Sequence, residues 1–173
     1  GRPSMGKSAI TTQIANNIYL MGGRVAFFPI EVGLKGFARN IASMHTQTDT
    51  WKLRGGKGQH QTETEQTALL AYLELQKKGV FVTSIAKTPK GVESVLRDMI
   101  SEHGGLDVVF IDHLQEMHGD KYNGKDTRHY EIENILAEIR RMAREFNVPI
   151  VLAAQVGRSS EGREPSIAEI KDS

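Results

Sequence analysis

The sequence predicts an α/β domain in which a mainly parallel sheet carries helices on both faces. Three observations lead there. Short apolar runs alternate with longer segments of helical periodicity, the order that parallel sheets require. Three of the four apolar runs are followed at once by a polar residue: Glu31, Asp112 and Gln155. The chain also opens on Gly1-Arg2-Pro3-Ser4-Met5-Gly6-Lys7-Ser8, which satisfies G-x-x-x-x-G-K-[ST], a phosphate-cradling loop that leads into a helix.

The elements follow in order. Residues 8–21 read as a first helix, with Ile10, Ile14, Ile18 and Met21 on one stripe, stopped by Gly22-Gly23. Residues 24–30 are an apolar run read as a buried strand, weakened near its end by Pro29. A second helix places Leu34, Phe37, Ala38, Ile41 and Ala42 at helical spacing. Residues 46–60 are polar and glycine-rich and read as loop, and residues 62–78 as a third helix ended by Gly79. Residues 80–85 form the next strand. Thr88-Pro89-Lys90-Gly91 opens a fourth helix, with Val92, Val95, Leu96, Met99 and Ile100 along one face, ended by Gly104-Gly105. Residues 107–111 are the third strand, and residues 113–127 read as a polar loop. The longest helix covers residues 128–146, with Ile132, Ile135, Leu136, Ile139, Met142, Ala143 and Phe146 inward. Residues 149–154 are the fourth strand, and 156–173 a charged, irregular tail.

In parallel α/β sheets ligands bind beyond the carboxyl ends of the strands. Glu31, Asp112 and Gln155 each leave a strand at that edge, so they are expected to converge on the phosphate loop. Gly6 allows close approach of the backbone to phosphate. Lys7 supplies a compact positive charge to the β- and γ-phosphates, and Ser8 a hydroxyl to the Mg²⁺ they share. The N-terminus of the first helix favours anions. Val108-Val109-Phe110-Ile111-Asp112 is an apolar strand ending in a carboxylate that can orient Mg²⁺, or simply a turn residue. Glu31 is a candidate general base for the attacking water, or a carboxylate favoured at a helix start. Gln155 is a candidate γ-phosphate contact, or an ordinary polar strand end. The histidines, His113 and His118 among them, lack metal-ligand spacing and read as surface or loop residues. Trp51 reads as a half-buried loop anchor rather than a stacking platform. Lys121, Lys125, Arg128, Arg158, Arg163 and Lys171 could hold a nucleic-acid strand, but interspersed acids make a solvated surface equally consistent.

Composition bounds these readings. The chain has 173 residues, 39% hydrophobic and 25% charged, which suits one domain, taken here as residues 1–173. A net charge of +1 gives no bulk attraction to nucleic acid, so any such surface is local. With no cysteine, disulfides and thiolate metal sites are excluded for these residues. No stretch is long and apolar enough to cross a membrane, and a soluble intracellular protein with access to ATP is expected.

Three segments carry a family resemblance: Arg2-Pro3-Ser4-Met5-Gly6-Lys7-Ser8, Ile111-Asp112-His113-Leu114-Gln115 and Phe146-Asn147-Val148-Pro149-Ile150-Val151. Together they resemble the DnaB-type replicative helicases, hexameric ring motors with a RecA-like ATPase domain, and the likeness covers nearly the whole chain. It implies a RecA-like P-loop NTPase fold, ATP and Mg²⁺ as cofactors, single-stranded DNA as a partner, and a bacterial or phage-encoded cytoplasmic enzyme. Residue by residue, it implies that Gly1, Arg2, Pro3, Ser4, Met5, Gly6, Lys7 and Ser8 form the Walker A loop. Asp112 is then the Walker B carboxylate, with His113 where the family usually has Tyr. Glu31 matches the catalytic glutamate and Gln155 the γ-phosphate-sensing glutamine. Arg39 matches an arginine associated with the nucleotide base, with its spacing from Glu31 one residue short. Glu169-Ile170-Lys171-Asp172-Ser173 is similar to the start of a loop that contacts single-stranded DNA, which places Lys171 and Asp172 there, with Arg158 upstream in the same tail.

The resemblance also implies a domain truncated at both ends. The family has an apolar strand before the phosphate loop, and further strands and a basic arginine-finger segment after the DNA loop. The isolated chain is therefore expected to be a monomer or dimer, to bind nucleotide weakly, and not to unwind DNA alone. Two alternatives stand beside this reading: another RecA-like ATPase, of recombinase or clock type, and a nucleotide-binding or assembly module without turnover.

Overall fold

A computed structural model describes residues 6–47, 70, 81–82, 86–119 and 128–155. The loop expected at 46–60 begins on a helix that ends at Thr46, and its residues 48–60, Trp51 among them, lie outside the described residues, as do the phosphate-loop residues Gly1 to Met5, Lys121, Lys125 and the tail 156–173. The helix expected at 62–78 also lies outside them except at Leu70, which is helical. Described in chain order are α1 (Lys7–Leu20), β1 (Val25–Phe28), α2 (Gly33–Thr46), β2 (Phe81–Val82), α3 (Pro89–His103), β3 (Val108–Ile111), a single 3₁₀ turn (Leu114–Glu116), α4 (Arg128–Glu145) and β4 (Ile150–Leu152).

The strands form one sheet in the order β2-β1-β3-β4. All pairings are parallel: Ala26 faces Phe81, Val25 faces Val108 and Val109 faces Ile150. Successive side chains of a strand point to opposite faces, and the two central strands are buried at every position. This explains why β1 and β3 are unbroken apolar runs rather than alternating ones.

Two cores result, one on each face. Val25, Phe27, Val108 and Phe110 pack with Ala15 and Tyr19 of α1 and with Phe37 and Ile41 of α2. The Phe27 ring sits 4.6 Å from Phe37 and 5.7 Å from Phe110, centroid to centroid. Ala26, Phe28, Val109 and Ile111 pack instead with Val92 and Leu96 of α3 and with Ile132, Ile135, Ile139 and Met142 of α4. The expected inward faces of α2, α3 and α4 are therefore largely the ones buried, although Leu34 stays exposed. α3 starts where its sequence signals it: Thr88 caps the helix by accepting a hydrogen bond from the Gly91 N–H at 3.2 Å, and Pro89 follows at the first helical position.

Two expectations need correction. The isoleucine stripe of α1 faces outward: Ile10 is 59% exposed and Met21 87%, with Ile18 only partly covered. The buried face is Thr12, Ala15, Asn16 and Tyr19. These positions continue the face that begins at Ser8, so the helix is phased by the loop that precedes it. Small and self-satisfied side chains suit that face, and the Thr12 hydroxyl donates to the Ser8 carbonyl at 2.5 Å. The second correction concerns the segment after β3, which is not simply a polar loop. It holds the 3₁₀ turn and buries Leu114 and Met117. Its backbone is tied down on both sides, with Leu114 N–H donating to Ala153 O at 2.9 Å and His118 N–H to Lys87 O at 2.8 Å.

Candidate nucleotide site

The sheet's hydrogen bonding continues past its strands and fixes the residues at their carboxyl ends. Asp112 N–H donates to Phe28 O and Glu31 N–H to Asp112 O, each at 3.0 Å. Ala153 N–H donates to Ile111 O, also at 3.0 Å, which leaves Gln155 two residues further along the same edge. Glu31, Asp112 and Gln155 are thus brought to one edge from β1, β3 and β4.

The N-terminus of α1 meets them there. Gly6 holds the left-handed conformation (φ 78°, ψ 20°) at the helix start, where a side chain would be strained although space is open around it. The N-cap residue, being glycine, has no side chain with which to cap this helix end. Its first N–H groups and positive dipole end therefore form a receptor for an anion.

Asp112 is fully buried, and neither carboxylate oxygen has a partner of good hydrogen-bond geometry among the described residues. Burial pushes its pKa up, and the neighbouring Glu31 carboxylate pushes the same way. The Ser8 hydroxyl, close enough to favour the charged form without an aligned bond, pulls it down, as do His113 and Lys7. Burial prevails. A buried carboxylate without an aligned donor, next to a hydroxyl and at the foot of an anion-binding helix, fits a divalent cation shared with phosphate.

His113 corrects the surface-or-loop expectation. It is only 2% exposed, and its Nδ1 lies 2.9 Å from Glu31 Oε2. That oxygen sits at hydrogen-bonding distance but off the N–H axis, so the contact is close without being an aligned bond. The other ring nitrogen, Nε2, lies 3.0 Å from Gln155 Nε2. Glu31, Asp112 and His113 bring potential ligand atoms within 4.8 Å of one another. His118, by contrast, is exposed as expected.

Gln115 and Gln155 are cross-linked in both directions. Gln155 N–H donates to Gln115 Oε1 at 2.9 Å, and Gln115 Nε2 donates to Gln155 O at 3.1 Å. One turn further, the Arg128 guanidinium donates to Gln115 O at 2.9 Å and Met117 O at 3.0 Å. Arg128 also pairs with the buried Glu131, which accepts the Gly119 N–H at 2.7 Å. This guanidinium is engaged within the fold rather than offered to a nucleic acid. Sequence reasoning assigns no role to Gln115 or Glu131. The only signal for Glu131 is a carboxylate one position before the apolar series of α4.

Lys7 and Ser8 thus lie with Asp112, Glu31 and Gln155 at one edge. Arg39 lies on α2, partly buried. Gly1, Arg2, Pro3, Ser4 and Met5 and the tail residues Arg158, Lys171 and Asp172 fall outside the described residues.

Comparison with known proteins is consistent with this geometry. The family model described as "DnaB-like helicase C terminal domain" matches residues 1–173. The chain is 29% identical over 164 residues to the replicative DNA helicase DnaB of Haemophilus influenzae, covering 94% of this chain and 35% of that protein. It is 31% identical over 180 residues to the DnaB of Nostoc, covering 100% of this chain and 20% of that protein. The chain therefore spans about a third or less of the length of these relatives. Among solved structures, one described as an ATPase domain superposes with a TM-score of 0.82 at 24% identity, covering 99% of this chain and 62% of that one. A DnaB-like replicative helicase, studied for its interactions with primase, gives a TM-score of 0.80 at 23% identity over 99% of this chain and 42% of that one. These two establish the shared fold, a RecA-like parallel sheet between helices. With a family model matched along its whole length, the chain belongs to the DnaB-like helicase C-terminal domain family.

Proposed function

We propose that this chain is the ATP-hydrolysing motor part of a replicative DNA helicase, in which hydrolysis drives movement along single-stranded DNA. The observation that carries the reading is the meeting of Ser8, Asp112 and Glu31 at the carboxyl edge of the sheet, beside the N-terminus of α1.

In this reading Lys7 and the first N–H groups of α1 bind the β- and γ-phosphates. Ser8 and Asp112 hold Mg²⁺, which when bound neutralises charge on those phosphates. Glu31 is half exposed, so its carboxylate reaches solvent and orients, or takes a proton from, the attacking water. Gln155 offers its carboxamide to the γ-phosphate and is held at the exit of β4, where the tail begins. Gly1, Arg2, Pro3, Ser4, Met5 and Gly6 complete the phosphate loop, and Arg39 is assigned to the nucleotide base. Arg158, Lys171 and Asp172 are assigned to single-stranded DNA. The working assembly is a homo-oligomeric ring, hexameric in the longer protein, with a neighbour's arginine completing the charge neutralisation. Its place is the cytoplasm of a bacterial or phage-infected cell. Among the described residues no helix is long and apolar enough to cross a membrane.

The test is equilibrium binding of a fluorescent ATP analogue with Mg²⁺ to this chain and to Lys7→Ala, followed by phosphate release with and without single-stranded DNA. Mg²⁺-dependent binding that is lost in Lys7→Ala, with release stimulated by DNA, supports the reading. Equal binding by both proteins refutes the phosphate site. Lys7-dependent binding without release at any DNA concentration, under conditions where sizing shows a ring, refutes the motor and leaves a nucleotide-binding module.

A further inference from the structure

We infer that His113 is a positioning residue, whose two ring nitrogens set it between Glu31 and Gln155. The inference deepens the proposed ATPase reading and rests on it for the roles of Glu31 and Gln155.

In a neutral ring the two neighbours favour one position for the proton. Gln155 presents its Nε2 to His113 Nε2 at 3.0 Å. An amide nitrogen is only a donor, so His113 Nε2 accepts and carries no hydrogen. The proton of the neutral ring is then on Nδ1, which faces Glu31 Oε2 at 2.9 Å. Rotating the Gln155 amide by half a turn reverses the first contact and requires a hydrogen on Nε2. In the neutral ring this leaves the Nδ1 lone pair against a carboxylate oxygen, which is repulsive. The Nδ1–H tautomer is the neutral form compatible with both contacts.

Several features favour a role beyond packing. His113 follows Asp112 directly, and its ring is almost wholly buried while Glu31 stays accessible. Gln155 has its backbone N–H and carbonyl clamped by Gln115, so its side chain starts from a fixed base. A shift of the Gln155 carboxamide toward a bound γ-phosphate withdraws the donor from His113 Nε2 and frees the ring to turn. The carboxylate it holds is then released with it. The imidazole therefore links the group that contacts phosphate to the group that handles water.

The first test needs no nucleotide. Two-bond ¹H–¹⁵N spectra of the ¹⁵N-histidine-labelled chain, with His113 assigned by its loss in His113→Asn, report which ring nitrogen is protonated. The expected result is one fixed tautomer with hydrogen on Nδ1, which Gln155→Leu converts to a mixture. An Nε2–H tautomer, or two tautomers averaging in the unmutated chain, overturns the inference. So does stoichiometric Zn²⁺ binding at His113. The second test separates the two contacts in turnover. His113→Asn keeps a donor near the Nδ1 position and loses the Gln155 contact; His113→Gln keeps an acceptor near the Nε2 position and loses the Glu31 contact. Each is expected to lower kcat about ten- to a hundredfold, the cost of a misplaced catalytic group, with the Kd of the ATP analogue unchanged. A matching loss of nucleotide affinity, or unchanged kcat in both, overturns it. Failure of the Lys7 comparison would count against the ATPase reading alone, since the tautomer is read without nucleotide.

Discussion

Replacing Glu131 by alanine tests whether the segment after β3 is held by a buried charge. Glu131 is 6% exposed; it accepts the Gly119 N–H at 2.7 Å and pairs with Arg128 at 2.5 Å. Removing it loses a charge-assisted hydrogen bond, about 1.5–3 kcal/mol. The ion pair adds less than a buried pair would, because the Arg128 side chain is 36% exposed and keeps its bonds to Gln115 O and Met117 O. A surface-like value of about 0–1 kcal/mol is appropriate for it. The expected cost is therefore about 1.5–4 kcal/mol, a fall in Tm of about 3–16 °C for a domain of this size. Glu131→Gln keeps an acceptor for Gly119 and should cost about 1 kcal/mol. The pH dependence gives a second check. Burial raises the Glu131 pKa, but the Gly119 N–H and the Arg128 guanidinium outweigh it and hold the carboxyl below its usual range. With the folded pKa depressed, the unfolded chain binds the proton more readily as pH falls below about 4.3. The stabilisation is thus full above that pH and is lost as pH falls through the folded pKa. Urea unfolding followed by circular dichroism at several pH values measures it. A Glu131→Ala midpoint equal to that of the unmutated chain, or an advantage over Glu131→Gln that grows in acid, would refute the reasoning.

Three further outcomes are expected. Leu96→Ala removes a fully buried side chain between α3 and the sheet and should cost about 2–5 kcal/mol in urea unfolding; a loss below about 1 kcal/mol would mean the site collapses to fill the space. Thr88→Ala removes the cap of α3 and should cost about 1 kcal/mol, with Thr88→Ser nearly neutral; equal losses in both would point to packing rather than capping. Asp112→Asn removes a buried charge without an aligned donor, so it should raise the urea midpoint at neutral pH while abolishing Mg²⁺-dependent nucleotide binding. A lowered midpoint would mean that the carboxylate is satisfied within the fold.

The fold was legible wherever burial is two-sided or strongly periodic. β1 and β3 are apolar at every position because both faces are covered, and that pattern reads directly from the sequence. α3 announced itself through Thr88, Pro89 and a regular apolar face. α1 misled because amphipathic reading takes the largest apolar side chains as the buried ones. Here Gly6 fixes where the helix starts, and Ser8 must face the site. Thr12, Ala15, Asn16 and Tyr19 inherit the inward face whatever their hydrophobicity. Helix phase is a tertiary property in this case, and a hydrophobic stripe cannot report it.

The site divides along the same line. Glu31, Asp112 and Gln155 were readable because each follows an apolar run, and parallel strands deliver such residues to one edge. His113 was not, because its two partners lie on other strands. Glu31 comes from the end of β1 and Gln155 from beyond β4, and nothing in the local sequence joins them. Their meeting depends on β3 lying between β1 and β4 in the sheet. With a different strand order the same sequence motifs would survive and these contacts would not. The motif thus identifies the chemistry available at the sheet edge, while strand order determines which side chain connects the water-handling carboxylate to the phosphate-sensing amide.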